Sequence, residues 1–195
     1  MSKIAQNKEK KRQAILKAAL EIFISEGFVN TGMDKVSEKA EVTKQTVYRY
    51  FPSKTELFKA VLEKIGDSSE PEYNNHLQLS DPREALQQFA KHFIQSHLTP
   101  EHLATFKLLI AESSQAPEIV NSFHSVGPDK TDQMLSDFFQ NRLGIKEPDM
   151  PIQIWLGSIL ALRTRVLMGQ DMPPQDEIAE YATSCTDYLF AAINK

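Results

Sequence analysis

The chain has 195 residues, 41% of them hydrophobic and 25% charged, with one cysteine and a formal net charge of −4. These values predict one or two folded domains with a hydrophobic core, and they exclude a disordered chain and a small disulfide-stabilised fold. The longest uncharged segment, 150–162, has thirteen residues, fewer than the ~20 that a membrane-spanning helix needs.

The N-terminal residues are basic and continue into an amphipathic pattern, without the continuous apolar core of a signal peptide. A single cysteine is compatible with a reducing compartment. We therefore expect a cytoplasmic protein with no membrane partner.

The net charge is unevenly distributed along the chain. Residues 1–64 carry a net charge of +5, whereas residues 65–195 carry −9. Such asymmetry favours an anionic partner, such as nucleic acid, at the basic end. An unevenly charged but merely solvated surface explains the composition equally well at this point.

The hydrophobic pattern predicts an all-α fold, because nearly every segment has a period of about 3.6 residues. Three capping-box pairs mark helix starts: Thr31 with Asp34, Ser53 with Glu56, and Asp81 with Glu84. The predicted helices span 8–26, 32–39, 43–50, 54–65, 82–98, 100–115, 117–125, 128–143, 151–168 and 174–193.

The first three predicted helices match a helix-turn-helix domain. Two very short helices, 32–39 and 43–50, follow a long one, and their few apolar residues are enough to hold them at a fixed angle. Those residues are Val36, Ala40, Val42, Val47 and Phe51. The second short helix would lie in the DNA major groove.

The side chains of this second helix suit DNA recognition. Thr43 can cap the helix, Lys44 and Arg49 can bind phosphate or guanine, and Gln45 can pair with adenine. Tyrosine hydroxyls and a lysine at the next helix start can reach phosphates. The predicted DNA contacts are Thr43, Lys44, Gln45, Thr46, Tyr48, Arg49, Tyr50 and Lys54. Alternatively, the aromatic residues belong to the core and the basic residues only confer solubility.

Residues 11–64 resemble the N-terminal domain of TetR-family transcriptional regulators. The similar segments are Ala18–Phe23, Gly27-Phe28, Thr31, Val36–Ala40 and, most specifically, Val42–Lys54. The resemblance implies a homodimer that binds a palindromic operator, commonly as a repressor released by a small ligand. It also implies DNA contacts from Thr43 to Thr46, Tyr48, Tyr50 and Lys54. Glu41 replaces the usual glycine of the turn, so either a non-glycine adopts the strained conformation or the turn differs.

Residues 66–80 are polar and aperiodic, which predicts a joint between two domains. The division is a helix-turn-helix domain at 1–53 with a connecting helix at 54–65, followed by a helical ligand-binding and dimerisation domain at 66–195. A second resemblance, to AefR-like C-terminal domains of the TetR family, rests on Phe106–Glu112, Pro117-Glu118 and Gly127-Pro128.

Apolar stripes on the helices of this second domain are, taken alone, more typical of a core than of a pocket. The family resemblance implies a ligand cavity among them, with an unidentified small effector. The predicted lining is Phe89, Phe93, Phe106, Ile110, Glu112, Phe123, Met134, Phe138, Trp155 and Arg163.

The last two predicted helices have the features of a dimer interface. The segment 152–162 is apolar on nearly all sides, and Gly157 and Ala161 would allow another backbone to approach closely. The predicted interface residues are Gly157, Ala161, Ile178, Tyr181, Cys185, Tyr188 and Leu189. Packing within one chain is the alternative.

No catalytic or cofactor motif is present, so we expect neither an enzyme nor a cofactor. His92, His97 and His102 are spaced five apart, which points successive rings about 140° apart on a continuous helix and argues against a shared metal. Two functions stay open. One is a ligand-responsive repressor, and the other is an effector-independent DNA-binding dimer that acts structurally or as an activator.

Overall fold

The computed structural model describes residues 3–67 and 70–193. All elements in this part of the chain are helices, which confirms the predicted all-α fold. They are α1 (Lys3–Glu26), α2 (Met33–Lys39), α3 (Lys44–Tyr50), α4 (Lys54–Asp67), α5 (Glu70–His76), α6 (Pro82–His97), α7 (Pro100–Glu112), α8 (Pro117–Val126), α9 (Pro128–Leu143), α10 (Asp149–Ile159), α11 (Ala161–Leu167) and α12 (Gln175–Ile193).

The helices form two compact units that are not contiguous in sequence. The first contains Met1–Gly66 and Ala104–Pro128, and the second contains Asp67–Leu103 and Asp129–Lys195. The sequence pattern predicts one domain over 66–195, whereas 104–128 packs with the helix-turn-helix. The reason is that buried residues of α7 and α8, including Leu108, Leu109 and Ile119, join the first core.

The first unit is built around three aromatic rings. Phe23 and Phe28 each lie edge-on to Phe58, with ring centroids 5.3 Å apart. Val36 and Val47 are fully buried beside this cluster and attach α2 and α3 to it. Burying side chains of this size contributes about 1.5–3 kcal/mol each, so the two short helices are held by tertiary packing.

The second unit is organised around α6, which packs against α5, α11 and α12, while α10 packs on α12. Its core holds Phe89 and Phe93, stacked with ring centroids 5.3 Å apart, and Trp155 lies 5.9 Å from Phe89. Among residues 3–67 and 70–193, no helix is both long enough and apolar enough to cross a bilayer.

The aperiodic joint predicted at 66–80 contains a helix, α5. Tyr73 and Leu77, four residues apart, are buried, and the Tyr73 ring lies edge-on to Phe89 and Phe93 at 5.3 Å. This single apolar pair is too weak a signal to predict a helix from the sequence, but it is enough to fix one against α6.

Two further helix boundaries differ from the prediction. The predicted helix 151–168 is divided at Leu160 into α10 and α11. Thr31 does not cap α2, because its hydroxyl donates a hydrogen bond to the Gly27 carbonyl at 2.5 Å. The other two predicted caps are present: the backbone N–H of Glu56 donates to Ser53 Oγ, and that of Arg83 donates to Asp81 Oδ1.

Candidate nucleic-acid interface and effector region

The helix α3 is fixed to the first unit by one side and exposes the other. Val47 is fully buried, and Thr43 caps the helix start by accepting a hydrogen bond from the Thr46 N–H at 3.2 Å. Lys44, Gln45 and Arg49 are exposed. The seven-residue helix therefore presents its polar side chains on a rigid support.

The exposed side of α3 borders a concave surface of about 470 Å³ lined by Gln45, Thr46, Tyr48 and Arg49. These four are among the predicted DNA contacts. Tyr48, with 42% of its surface exposed, is not part of the core. The alternative reading in which it serves only packing has no support in this geometry.

The turn between α2 and α3 is completed by Glu41 in the left-handed conformation, with φ of 53°. The first of the two alternatives for this position therefore holds: a non-glycine takes the strained backbone. The turn is closed by the Val42 N–H, which donates to the Ser37 carbonyl at 3.0 Å. A left-handed residue that is not glycine costs roughly 1–2 kcal/mol, which the buried residues around the turn offset.

Lys44 forms an exposed ion pair with Asp34 on α2, with Nζ 2.8 Å from Oδ1. The Asp34 carboxylate raises the pKa of Lys44 through this hydrogen bond and its charge. Exposed pairs of this kind contribute little to stability. The pair orients the Lys44 ammonium without preventing it from turning to a phosphate.

Two other predicted DNA contacts also form bonds within the protein. Lys54 Nζ donates to the carbonyls of Phe28 and Val29 at 2.6 and 2.9 Å, and burial lowers the pKa of this lysine. Tyr50 donates its hydroxyl hydrogen to the Lys8 carbonyl at 3.1 Å. Lys54 thus ties the start of α4 to the loop after α1, and its ammonium also lies 4.6 Å from the centre of the Phe28 ring.

Glu112, predicted to line the ligand pocket, contacts the same loop. Its Oε2 accepts a hydrogen bond from the Val29 N–H at 2.9 Å, and its carboxylate lies against Gly27. Gly27 has φ of 86°, and a Cβ at this position would overlap Glu112 Oε1. No local sequence signal predicts this contact, because 83 residues separate its two partners.

The remaining predicted pocket residues are divided between the two units. Phe106 and Phe123 lie in the first, with ring centroids 6.2 Å apart, and Ile110 is 61% exposed there. The residues in the second unit are Phe89, Phe93, Met134, Phe138, Trp155 and Arg163. The structure does not bring the predicted lining together within a single unit.

The second unit contains polar atoms that suit a bound molecule. Among the described residues, Trp155 Nε1 and Ser96 Oγ are buried with no hydrogen-bond partner. An unmade hydrogen bond at a buried polar atom costs about 1–3 kcal/mol. Burial also lowers the pKa of Arg163 to about 10.

His97 and His102 are neighbours in the second unit, with ring centroids 5.3 Å apart. The argument from a continuous helix does not apply to them, because α6 ends before Leu98 and α7 begins at Pro100. His97 donates its Nδ1–H to the Phe93 carbonyl at 2.8 Å. Among the described residues no group of three metal-ligating side chains was found.

This histidine makes stability depend on pH. Burial, with the nearby His102 and Arg163, lowers the pKa of His97 from 6.5 to about 3. Between those values the unfolded chain binds a proton that the folded chain does not, so stability is lost as the pH falls below about 6.5. We expect the urea midpoint to decrease from about pH 7.5 to about pH 5 and to decrease less in His97→Asn, whose amide can still donate to Phe93. Equal decreases in both proteins would contradict this assignment.

The predicted dimer residues occupy two environments. Ile178 and Leu189 are buried in the second unit, and Tyr181 donates its hydroxyl hydrogen to the Ser158 carbonyl at 2.9 Å. Gly157 is exposed with open space beside it, and Tyr188 is 79% exposed.

An apolar groove of about 450 Å³ lies between α10 and α12. It includes the predicted Cys185, Tyr188 and Leu189, together with Met150 and Ile154, which the sequence analysis did not select. Ala161, just beyond α10, is half-buried.

The short helices α2 and α3 are anchored by buried side chains, and α3 exposes a cationic side. This arrangement defines a helix-turn-helix DNA-binding protein. Comparison with known families agrees: residues 15–61 match the family "Bacterial regulatory proteins, tetR family", and residues 84–193 match "AefR-like transcriptional repressor, C-terminal domain". The chain therefore belongs to the TetR family of transcriptional regulators, with an AefR-like C-terminal domain.

Individual relatives match only part of the chain. The transcriptional repressor NicS of Pseudomonas putida is 39% identical over 85 residues, 43% of this chain and 40% of NicS. The transcriptional activator FasR of Mycolicibacterium smegmatis is 38% identical over 61 residues, 31% of this chain and 28% of FasR. The chain thus aligns with less than half of either relative.

Solved structures show that the whole fold is shared. The flavonoid-responsive regulator FrrA superposes with a TM-score of 0.77 at 24% identity, over 94% of this chain and 97% of FrrA. At this identity the similarity concerns the fold alone.

Proposed function

We propose that this protein is a cytoplasmic homodimeric repressor that binds a palindromic operator and is released by a small apolar or amphipathic ligand. Residues 1–53 with the connecting helix 54–65 bind DNA, and residues 66–195 supply the ligand and dimer contacts. The observation that carries the proposal is the exposed surface of α3 formed by Gln45, Thr46, Tyr48 and Arg49 on a buried support.

The groove between α10 and α12 is the evidence that favours a dimer. Ile154 and Tyr188 are large side chains with 67% and 79% of their surfaces exposed, and they lie on the same groove. Contiguous apolar surface of this kind usually marks an interface. A second copy related by two-fold symmetry would cover it with the same groove, and the open space beside Gly157 lets the partner helix approach.

The core of the second unit has features that favour an effector site. Trp155 Nε1 and Ser96 Oγ lack partners among the described residues, within a core rich in aromatic rings. A ligand with an apolar body and a hydrogen-bond acceptor would satisfy the indole N–H. We place the effector at this part of the predicted lining, with Phe89, Phe93 and Trp155.

Release would be transmitted through α7, which begins in the second unit and ends in the first at Glu112. A shift of this helix on ligand binding would pull the Glu112 carboxylate away from the Val29 N–H. The loop held by Lys54 and Glu112 would then change the position of the helix-turn-helix. In this scheme, repression depends on the separation of the two recognition helices in the dimer.

The second candidate is an effector-independent dimer that acts structurally or as an activator. It receives support from the name of FasR, a transcriptional activator that is 38% identical to this chain over 61 residues. Transcription in vitro from a promoter that carries the bound site distinguishes the two, since a repressor lowers the yield of transcript and an activator raises it.

Selection of DNA by the full-length protein from random-sequence duplexes tests the proposal directly. The proposed function predicts a two-fold symmetric consensus, bound more weakly once a ligand is added. An asymmetric consensus, or no enrichment at all, would contradict it.

The ion pair of Lys44 with Asp34 provides a matched pair of variants. Lys44→Ala removes a cation that can reach the DNA, and we expect about 5- to 10-fold weaker operator binding. Asp34→Asn removes a nearby negative charge and frees the lysine, so we expect unchanged or tighter binding. Gel-shift titration of both variants measures the difference; equal losses would mean that the pair matters only for the fold.

A further inference from the structure

The first three turns of α1 extend away from the core. The buried face of the helix begins at Ile15, and residues 3–11 are all exposed. These turns continue a 24-residue helix whose later part is anchored in the core, and contacts outside the core add to their stability.

Two such contacts come from the last residue of α3 and the residue that follows it. The Tyr50 hydroxyl donates to the Lys8 carbonyl at 3.1 Å, and the guanidinium of Arg12 lies 5.9 Å from the centre of the Phe51 ring. The N-terminal turns of α1 are thus attached to α3, the element proposed to enter the major groove.

Between these two elements lies a groove of about 480 Å³. Its lining is Ile4, Asn7, Lys8, Lys11, Arg49 and Tyr50. The four residues from α1 are spaced three or four apart and so share one helical face. The lining contains three cations and no carboxylate, and Arg49 also borders the concave surface of α3.

The net charge of the N-terminal segment that lines this groove is also positive. Residues 1–17 contain six lysines or arginines and one glutamate. Side chains of like charge repel one another across a groove, and an anion bound among Lys8, Lys11 and Arg49 would neutralise this repulsion. Ile4, 83% exposed at the same groove, adds an apolar surface that can contact deoxyribose.

We infer that this groove, formed by α1 and the end of α3, binds the sugar-phosphate backbone of the operator beside the major-groove site. Lys8 and Lys11 are the added phosphate ligands, and Tyr50 acts on DNA by holding α1 in place. The inference rests on the proposed function and extends it, because the predicted DNA contacts all lie between Thr43 and Lys54. Such contacts increase affinity for all sequences and fix the register of the protein.

The test compares two double variants of the full-length protein with equal charge changes on the same helix. Lys8→Ala/Lys11→Ala removes the groove cations, and Lys3→Ala/Lys10→Ala removes two exposed lysines outside the groove. The probes are a duplex selected by the wild-type protein and a scrambled duplex of equal length, titrated over a range of salt concentrations.

We expect Lys8→Ala/Lys11→Ala to weaken binding of both duplexes by at least about 10- to 30-fold and to reduce the slope of log K against log salt by about 3.6, the value for four phosphates, two for each protomer of the dimer. The Lys3→Ala/Lys10→Ala control should change the slope by less than half as much. Equal effects of the two double variants would overturn the inference while leaving the proposed function intact. Failure of the wild-type protein to select any duplex would instead overturn the proposed function.

Tyr50→Phe tests how the tyrosine acts. We expect it to weaken binding several-fold in the wild-type background and to add nothing to Lys8→Ala/Lys11→Ala, because both changes act through the same groove. An additive loss would contradict the tether between Tyr50 and α1.

Discussion

The double substitution Ile154→Asp/Tyr188→Asp is expected to convert the protein into a monomer and to weaken operator binding by at least ~100-fold. Both side chains lie on the apolar groove of α10 and α12 and are largely exposed in the single chain. In the proposed dimer a carboxylate at either position would be buried without a partner, which costs several kcal/mol. Loss of the dimer leaves each recognition helix to bind its half-site alone.

Sedimentation equilibrium at micromolar concentration measures the oligomeric state, and gel shift measures the binding of DNA. The matched control is Met168→Asp/Met172→Asp, which adds the same charge at exposed methionines outside the groove. This control should remain dimeric and bind normally. A dimer that survives aspartates at Ile154 and Tyr188 would show that the interface lies elsewhere.

The second large effect is expected from Gly27→Ala. The added methyl group would overlap the Glu112 carboxylate, and alanine disfavours the positive φ of 86°. The strained backbone costs roughly 1–2 kcal/mol, and the displaced hydrogen bond to Val29 adds about 1 kcal/mol, so we expect a loss of about 2–3 kcal/mol.

Two comparisons separate these contributions to the free energy of unfolding, measured by urea denaturation. Gly144→Ala places a methyl group at φ of 71° with no atom within 4 Å, so it reports the backbone strain alone, roughly 1–2 kcal/mol. In Glu112→Ala the collision is absent, so adding Gly27→Ala to it should cost only that strain. A full, undiminished penalty in this background would contradict the contact between Gly27 and Glu112.

The sequence was sufficient to predict the helix-turn-helix because its signals are local. Val36, Val47 and the cap at Thr43 lie within a dozen residues of one another, and each has the role that its position indicates. The strained turn at Glu41 could be posed only as two alternatives, since the side chain does not determine φ at that position. The coordinates decide between them.

Contacts that join distant segments were predicted less completely than the local helix-turn-helix. Glu112 was selected as a polar residue in an apolar stretch, but its partner, the Val29 N–H, is a backbone group that no pattern identifies. The helix α5 depends on one buried pair, Tyr73 and Leu77, within a polar segment. Met150 and Ile154 become candidates for the dimer surface only when the fold shows them exposed beside Tyr188.

The charge asymmetry also gains a structural explanation. Some of the basic residues near the N-terminus are gathered at one place, because Lys8 and Lys11 line one groove with Arg49. The part of the chain with net charge +5 contains α3, the helix that we propose binds DNA. Binding should therefore weaken steeply as salt is added.

Hydroxyl-radical footprinting of a duplex selected by the wild-type protein tests the central claim most directly. A homodimer with two recognition helices predicts two protected patches, related by two-fold symmetry and separated by about 34–36 Å, one turn of DNA, or a multiple of it. A single protected patch, or protection without symmetry, would contradict the account.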